Sequence, residues 1–200
     1  MLMKRIVVGG IGIACLVACA PPMPASEAPE NKVMSWEKRE IDVNTITRWT
    51  ISGAMAARTA QKGWSASVNW QQLGAGNYKI RLFGPLGSGN VIIKGRGGSV
   101  TYQDGNKRET ASNASSLLKK QTGVSVPVNS LYYWVRGIPA PGGASGKKYD
   151  KYNHLKSFNQ NGYHVQYLRY TSFKGVDLPS SIKLIGGGIK IKFIIKSWSL

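Results

Sequence analysis

Proton transfer needs a histidine or a carboxylate, and nucleophilic or metal chemistry is most often carried by cysteine, so any enzymatic reading starts from these residues. There are few of them. The histidines are His154 and His164, the cysteines Cys15 and Cys19, and the only acids beyond Asp42 are Asp104, Glu109, Asp150 and Asp177. The sequence has no Gly-x-Ser-x-Gly elbow, no His-Glu-x-x-His and no paired-cysteine spacing, so hydrolase and zinc chemistry lack their usual signatures. His154 and His164 stand ten residues apart in stretches that read as strands, where partly exposed, chemically idle imidazoles are expected. The run Gly142-Gly143-Ala144-Ser145-Gly146-Lys147 approaches a phosphate loop, but Pro141 replaces the first glycine of that spacing and Lys148 its final hydroxyl. It reads as a Gly-rich surface loop. The expectation is a protein that is not an enzyme, with no metal and no cofactor.

Charge points to a partner instead. The 200 residues carry 27 Lys plus Arg against 9 Asp plus Glu, a formal net charge of +18. With 42% hydrophobic residues the chain can bury a core, so it is no disordered basic tail. Nucleic acid is the obvious anionic partner, and Tyr167-Leu168-Arg169-Tyr170 sets aromatics beside a base. The amino terminus argues against it. Lys4-Arg5 precede an apolar run from Ile6 to Ala18, too short to span a bilayer comfortably but right for an export signal. Its ending, Leu16-Val17-Ala18-Cys19, resembles the lipobox of bacterial lipoproteins, in which the cysteine is acylated and the preceding peptide removed. Residues 1–18 are therefore expected to be a signal peptide and Cys19 the lipidated first residue. Three acyl chains at Cys19 would hold the chain durably, because a single chain binds only reversibly. Ala20 follows, not the Asp that retains lipoproteins in the inner membrane of Gram-negative bacteria, so the periplasmic face of the outer membrane is favoured. Exported chains do not meet nucleic acid, and no such partner is expected.

Residues 19–44 are rich in Pro and Glu and read as a lipidated terminus with a flexible tether. From Arg48 onward, period-2 alternation dominates. Trp64, Ala66, Val68 and Trp70 oppose Ser65, Ser67, Asn69 and Gln71, and Tyr78, Ile80 and Leu82 oppose Lys79 and Arg81. The stretch Gly74-Ala75-Gly76 is the turn between them. Further strands are predicted over 49–58, 90–94, 99–103, 155–160, 163–171, 180–184 and 189–198. In the last, Lys190, Lys192 and Lys196 share the face opposite Ile189, Ile191, Phe193 and Ile195. Two helices interrupt the strands, over 112–121 and over 129–138. The second places Leu131, Trp134, Val135 and Ile138 on one face. The fold class is mainly β (α+β), an antiparallel sheet curling toward a barrel, with helices packed on it or plugging its end.

Phe83-Gly84-Pro85-Leu86-Gly87-Ser88-Gly89 joins two strands, and turn chemistry requires its Gly and Pro but not Leu86 at the tip. Leu86 could fold back on the sheet or enter a bilayer or a partner's groove. Trp49-Thr50-Ile51-Ser52-Gly53, Gly63-Trp64-Ser65-Ala66-Ser67, Trp70-Gln71-Gln72, Gly84-Pro85-Leu86-Gly87 and Leu131-Tyr132-Tyr133-Trp134-Val135-Arg136-Gly137-Ile138-Pro139 occur in an order that resembles the LolB family of outer-membrane lipoprotein receptors. The resemblance implies an open, incomplete antiparallel barrel, residues 45–200, with a short helical lid over an apolar cavity. It implies that the protein accepts the acyl chains of lipoproteins from a LolA-type periplasmic carrier and delivers them to outer-membrane lipid, acting as a monomer. It puts the family's membrane-insertion residue at Leu86, flanked by Gly84, Pro85 and Gly87. Trp64, Val68, Trp70, Ile80, Leu82, Trp134, Ile138, Ile191 and Phe193 are the candidates for cavity or core. A lipid-anchored carrier of another amphiphile, free lipid or lipopolysaccharide, remains the alternative. The lipobox reading predicts that a Cys19→Ala form appears in the soluble periplasmic fraction, checked by fractionation and immunoblotting.

Overall fold

The computed structural model describes residues 33–84, 89–122 and 126–200. Among these, eleven strands form one sheet: β1 (Arg48–Arg58), β2 (Gly63–Leu73), β3 (Tyr78–Phe83), β4 (Asn90–Arg96), β5 (Ser99–Asp104), β6 (Lys107–Ala111), β7 (Ser145–Tyr149), β8 (Leu155–Gln160), β9 (Tyr163–Phe173), β10 (Val176–Gly186) and β11 (Ile189–Ser199). Helix α1 (Trp36–Asn44) precedes them, while α2 (Ala114–Thr122) and α3 (Val128–Trp134) lie between β6 and β7.

The strand order is β6-β5-β4-β3-β2-β1-β11-β10-β9-β8-β7, and neighbouring strands are antiparallel throughout. Hairpins build it outward in two directions, and one non-consecutive pairing, β1 with β11, joins the halves. Strands β6 and β7 remain unpaired edges, so the barrel is open, and the two helices cross from one edge to the other. At the joint β11 carries a bulge at Lys196, which has no partner between the pairs Ser52–Ser197 and Gly53–Ile195. Gly53 is required there, since any Cβ would collide with the carbonyl of Ile194. Gly95 of β4 likewise leaves room for the ring of Tyr78, its cross-strand partner.

Alternation decides which face is buried. Along β11 the pattern is strict, with Ile189, Ile191, Phe193 and Ile195 inside and Lys190, Lys192, Ile194 and Lys196 outside. Trp134 (0% exposed) forms the centre of the core under α3. Its ring meets Phe158 and Tyr163, its indole N–H donates to Gln160 Oε1 at 2.9 Å, and its carbonyl accepts from the Tyr167 hydroxyl at 2.8 Å. Leu131 and Val135 are buried on the same side, as the helical spacing predicts, but α3 ends at Trp134 rather than at residue 138, and Ile138 is buried from the turn that follows, past Gly137 at φ 91°. Asn113 caps α2, its Oδ1 accepting from the Ser116 N–H at 3.0 Å.

Several expectations give way. The end of the expected tether, residues 36–44, is helix α1, capped by Ser35, whose hydroxyl accepts from the Lys38 N–H. Its Pro-rich prelude masked a helix that exists because Val43 and Arg39 have partners far along the chain. Arg39 donates to the Tyr152 carbonyl and pairs with Asp177 at 3.3 Å. The Gly-rich stretch after Pro141 carries edge strand β7, held by β8. Strand β6 was not foreseen, because Lys107-Arg108-Glu109-Thr110-Ala111 has no apolar alternation. Strand β10 starts before Pro179 and passes through it with a register shift, whereas the strand expected over 180–184 begins only after the proline. His154 is neither exposed nor in a strand. It is 4% exposed in the turn before β8, with Nδ1 2.9 Å from Asp150 and Nε2 2.7 Å from Asp177, and its ring stacks on Tyr170. Each ring nitrogen thus faces a carboxylate. This cluster fastens α1 to the sheet.

Arg136 is a second fastener. Only 1% exposed, it donates from Nη1 to the carbonyls of Val43 and Ile46 and from Nε to that of Tyr132, and its guanidinium lies 4.1 Å over the Tyr132 ring. Burial lowers its pKa from the usual arginine value, but three carbonyls and a ring face satisfy the charge. Arg136→Ala is expected to cost about 3 kcal/mol by leaving buried carbonyls unpaired, measured by urea denaturation. Burial alone would raise the Asp150 carboxyl, yet bonds from the His154 ring and the N–H groups of His154 and Tyr152 hold it below its ordinary value. A depressed folded pKa contributes stability that is present above the unfolded value and lost as pH falls through the folded one. Unfolding midpoints should therefore drop on acidification below the ordinary carboxylate range, and Asp150→Asn should flatten that drop.

Candidate functional site

The inner face of the curled sheet does not close on itself. Cross-strand register stacks Val68 on Leu82, Trp70 on Ile80, Ile80 on Ile93, Leu82 on Val91, and Met55 on Ala66 and Phe193. These side chains enclose a cavity of about 370 Å³, within the range of small-molecule pockets. Tyr102 of β5 and Ile191 of β11 extend the wall, and Leu118 of α2 with Val126, Val128 and Leu131 covers it from the helical side.

The polar groups near this wall are turned away or sit at its opening. The Trp70 indole N–H donates to Gln72 Oε1 at 2.9 Å, and Gln72 in turn donates to the Gly74 carbonyl at 2.7 Å, so Trp70 presents only carbon to the cavity. The Tyr102 hydroxyl donates to Asp104 at 3.4 Å, and its pKa is raised by burial and by the Asp104 charge. Lys62, Trp64 (37% exposed) and Gly89 line the cavity while reaching solvent, so it opens at the end of the sheet that holds the β1–β2 and β3–β4 turns. No carboxylate or histidine is among the lining residues. The walls can shelter an apolar chain.

Of the nine candidates, Trp64, Val68, Trp70, Ile80, Leu82, Ile191 and Phe193 line the cavity, whereas Trp134 and Ile138 lie in the solid core. Met55, Val91, Ile93 and Tyr102 were missed, although period-2 spacing on their strands places them beside the others. The helical wall, Leu118 to Leu131, gave no such signal, since an apolar helix face reads the same against a core as against a void. Gly84 lines the cavity, and its N–H donates to the Gly89 carbonyl at 3.3 Å, closing the base of the β3–β4 loop. Pro85, Leu86 and Gly87 lie outside the described residues, as does Cys19.

An open antiparallel sheet curled around an apolar cavity and covered by two helices is a fold found also in a LolA superfamily protein. The chain superposes on a LolA superfamily protein from Nitrosomonas europaea with a TM-score of 0.52 at 10% identity, covering 84% of this chain and 94% of that one. It matches a putative outer membrane lipoprotein-sorting protein domain from Vibrio parahaemolyticus with a TM-score of 0.51 at 7% identity, covering 82% and 93%. Sequence is more specific. Residues 47–198 match the family described as outer membrane lipoprotein LolB. The outer-membrane lipoprotein LolB of Coxiella burnetii (strain RSA 493) is 38% identical over 165 residues, 82% of this chain and 78% of that one. Its counterpart in Pseudomonas syringae pv. syringae is 34% identical over 201 residues, 99% of this chain and 97% of its own. The chain therefore belongs to the LolB family of outer-membrane lipoproteins, and its role lies in outer-membrane lipoprotein sorting.

Filling the cavity tests its use without touching the core. Ala66→Phe adds a ring to the lining and should weaken binding of a fluorescent fatty-acid probe by at least about tenfold, because apolar contact with the probe is lost. The far-ultraviolet circular dichroism spectrum should stay unchanged.

Proposed function

We propose that the protein receives the acyl chains of lipoproteins from a LolA-type carrier in this cavity and releases them into the outer membrane from its periplasmic face, where Cys19 anchors it by lipid. The observation that carries the reading is the cavity itself, unfilled and almost wholly carbon-walled, in a chain of the LolB family. Acyl chains cannot cross water exposed, since each Å² of apolar surface costs about 25 cal/mol to hydrate. A half-open barrel removes most of that cost while leaving the protein part of the cargo outside. Handover then runs downhill, if the cavity binds the chains more favourably than the carrier does and the bilayer more favourably still. No covalent step is required.

The β3–β4 loop supports the release half of the cycle. Its base, Gly84 and Gly89, belongs to the cavity's open end, and Leu86, between them in sequence, would enter the acyl region and provide a path from cavity to bilayer. Transfer of a labelled lipoprotein from LolA to the protein, then to vesicles, tests the whole reading. Leu86→Glu should accept cargo at the normal rate yet insert it at least tenfold more slowly. If no cargo passes from LolA while free lipid binds tightly, the protein carries a different amphiphile.

A further inference from the structure

Register sets cation against cation at one corner of the sheet. Arg58 of β1 stands directly opposite Lys190 of β11, and Lys192, two residues on, stands opposite Lys183 of β10. Lys62 lies in the adjoining β1–β2 turn. Directly opposed like charges weaken a sheet. No ion-pair partner relieves any of the five among the described residues. The described carboxylates are all elsewhere: Glu37, Glu40 and Asp42 on α1, Asp104 and Glu109 toward the β6 edge, Asp150 and Asp177 around His154. Arg58, Lys62, Lys190 and Lys192 are exposed and Lys183 half-buried, so this is a concentrated, uncompensated positive surface. It adjoins the cavity's open end, where Lys62 and the exposed Trp64 are lining residues.

We propose that this basic corner docks on anionic lipid head groups and so turns the open end of the cavity toward the bilayer. The proposal rests on the lipid-anchored reading given above. Tether length favours a membrane over a soluble acidic partner. The described chain begins beside the β7–β8 turn, where Asn153 Nδ2 donates to the Met34 carbonyl at 3.0 Å, at the opposite end of the sheet from the basic corner. Fully extended, the segment from Cys19 to Val33 reaches about 45 to 50 Å. The sheet is about 36 Å tall along β1, which has 11 residues. The anchor can therefore stay in the membrane while the far corner lies on the same surface. A bilayer held this way is present at a high effective concentration, whereas a carrier must arrive by diffusion.

The test uses the mature lipidated chain reconstituted in vesicles of phosphatidylcholine alone or mixed with phosphatidylglycerol. An environment-sensitive fluorophore on Gln61→Cys in the β1–β2 turn reports docking. The expected result is a blue shift that requires phosphatidylglycerol and disappears at high salt. Each cation near such a surface adds about 1 kcal/mol, close to fivefold. Combined Arg58→Glu, Lys190→Glu and Lys192→Glu should lower the docked-to-undocked ratio at least tenfold, and the three Gln substitutions, which leave a neutral corner, should lower it less. Lys147→Glu with Lys148→Glu on the far edge should leave it unchanged. Equal blue shifts on both vesicle types overturn the proposal, as does a charge-reversed chain that docks normally. Normal docking by the reversed chain, with failure to take lipoprotein from the carrier, would assign the corner to the carrier. The vesicle signal needs no transfer step, so loss of transfer with docking intact would count against the receptor reading alone.

Discussion

The pairing of β1 with β11 holds the molecule together. Every other strand contact joins sequence neighbours, so without this one the chain would be two separate meanders, each with an exposed apolar face. Its demands are visible in the residues. The missing side chain at Gly53 lets the two strands approach beside the β11 bulge, where any Cβ would strike Ile194, and the alternation of β11 brings Ile191 and Phe193 against Ala57 and Met55. Because the closure happens in the middle of the sheet, the edges β6 and β7 stay apart. The barrel is open by construction.

An open barrel must cover its inner face, and it does so in two different ways. On the β8–β10 side the core is filled: Trp134 with Phe158 and Tyr163, fixed in place by Gln160 and Tyr167. On the β2–β5 side the same kind of residues leave a void under α2 and α3. An unfilled apolar space normally costs stability in proportion to its volume. It persists because the surrounding frame is fastened elsewhere, by Arg136 beneath α1 and by the Arg39, Asp150, His154 and Asp177 cluster. These groups hold the frame from outside the cavity, so the void does not have to be filled for the fold to stand. Of the two histidines, His154 is part of this clasp and His164 is a half-buried residue of β9.

Much of this was legible in one dimension, for identifiable reasons. Period-2 patterning located β2, β3 and β11 because each has one wet and one dry face, and the i, i+3, i+4, i+7 set found α3 because its face is fully buried. Strand β6 and helix α1 escaped because their local sequences carry little signal. One is held by pairing with β5, the other by Arg39, Val43 and their distant partners. His154 was misjudged for the same cause. Its environment is made by Asp177, 23 residues away, and by Tyr170, neither of which is adjacent in sequence.

The amino-acid sequence by itself determined the alternation of faces, the turn glycines, the basic excess, and, through the order of its motifs, the family. Those are properties of single residues and short spacings. Which apolar side chains line a cavity and which fill a core was decided only by the tertiary structure. Val68 and Trp134 are equally buried types in equally regular patterns, and they part company because one faces a gap between strands and helices and the other faces Phe158. The same holds for charge. Lysine on alternate positions is ordinary solvent-facing sequence, and it became a surface of its own when register set Arg58 against Lys190 and Lys183 against Lys192. Register is a long-range choice, set by how the whole sheet buries its dry face.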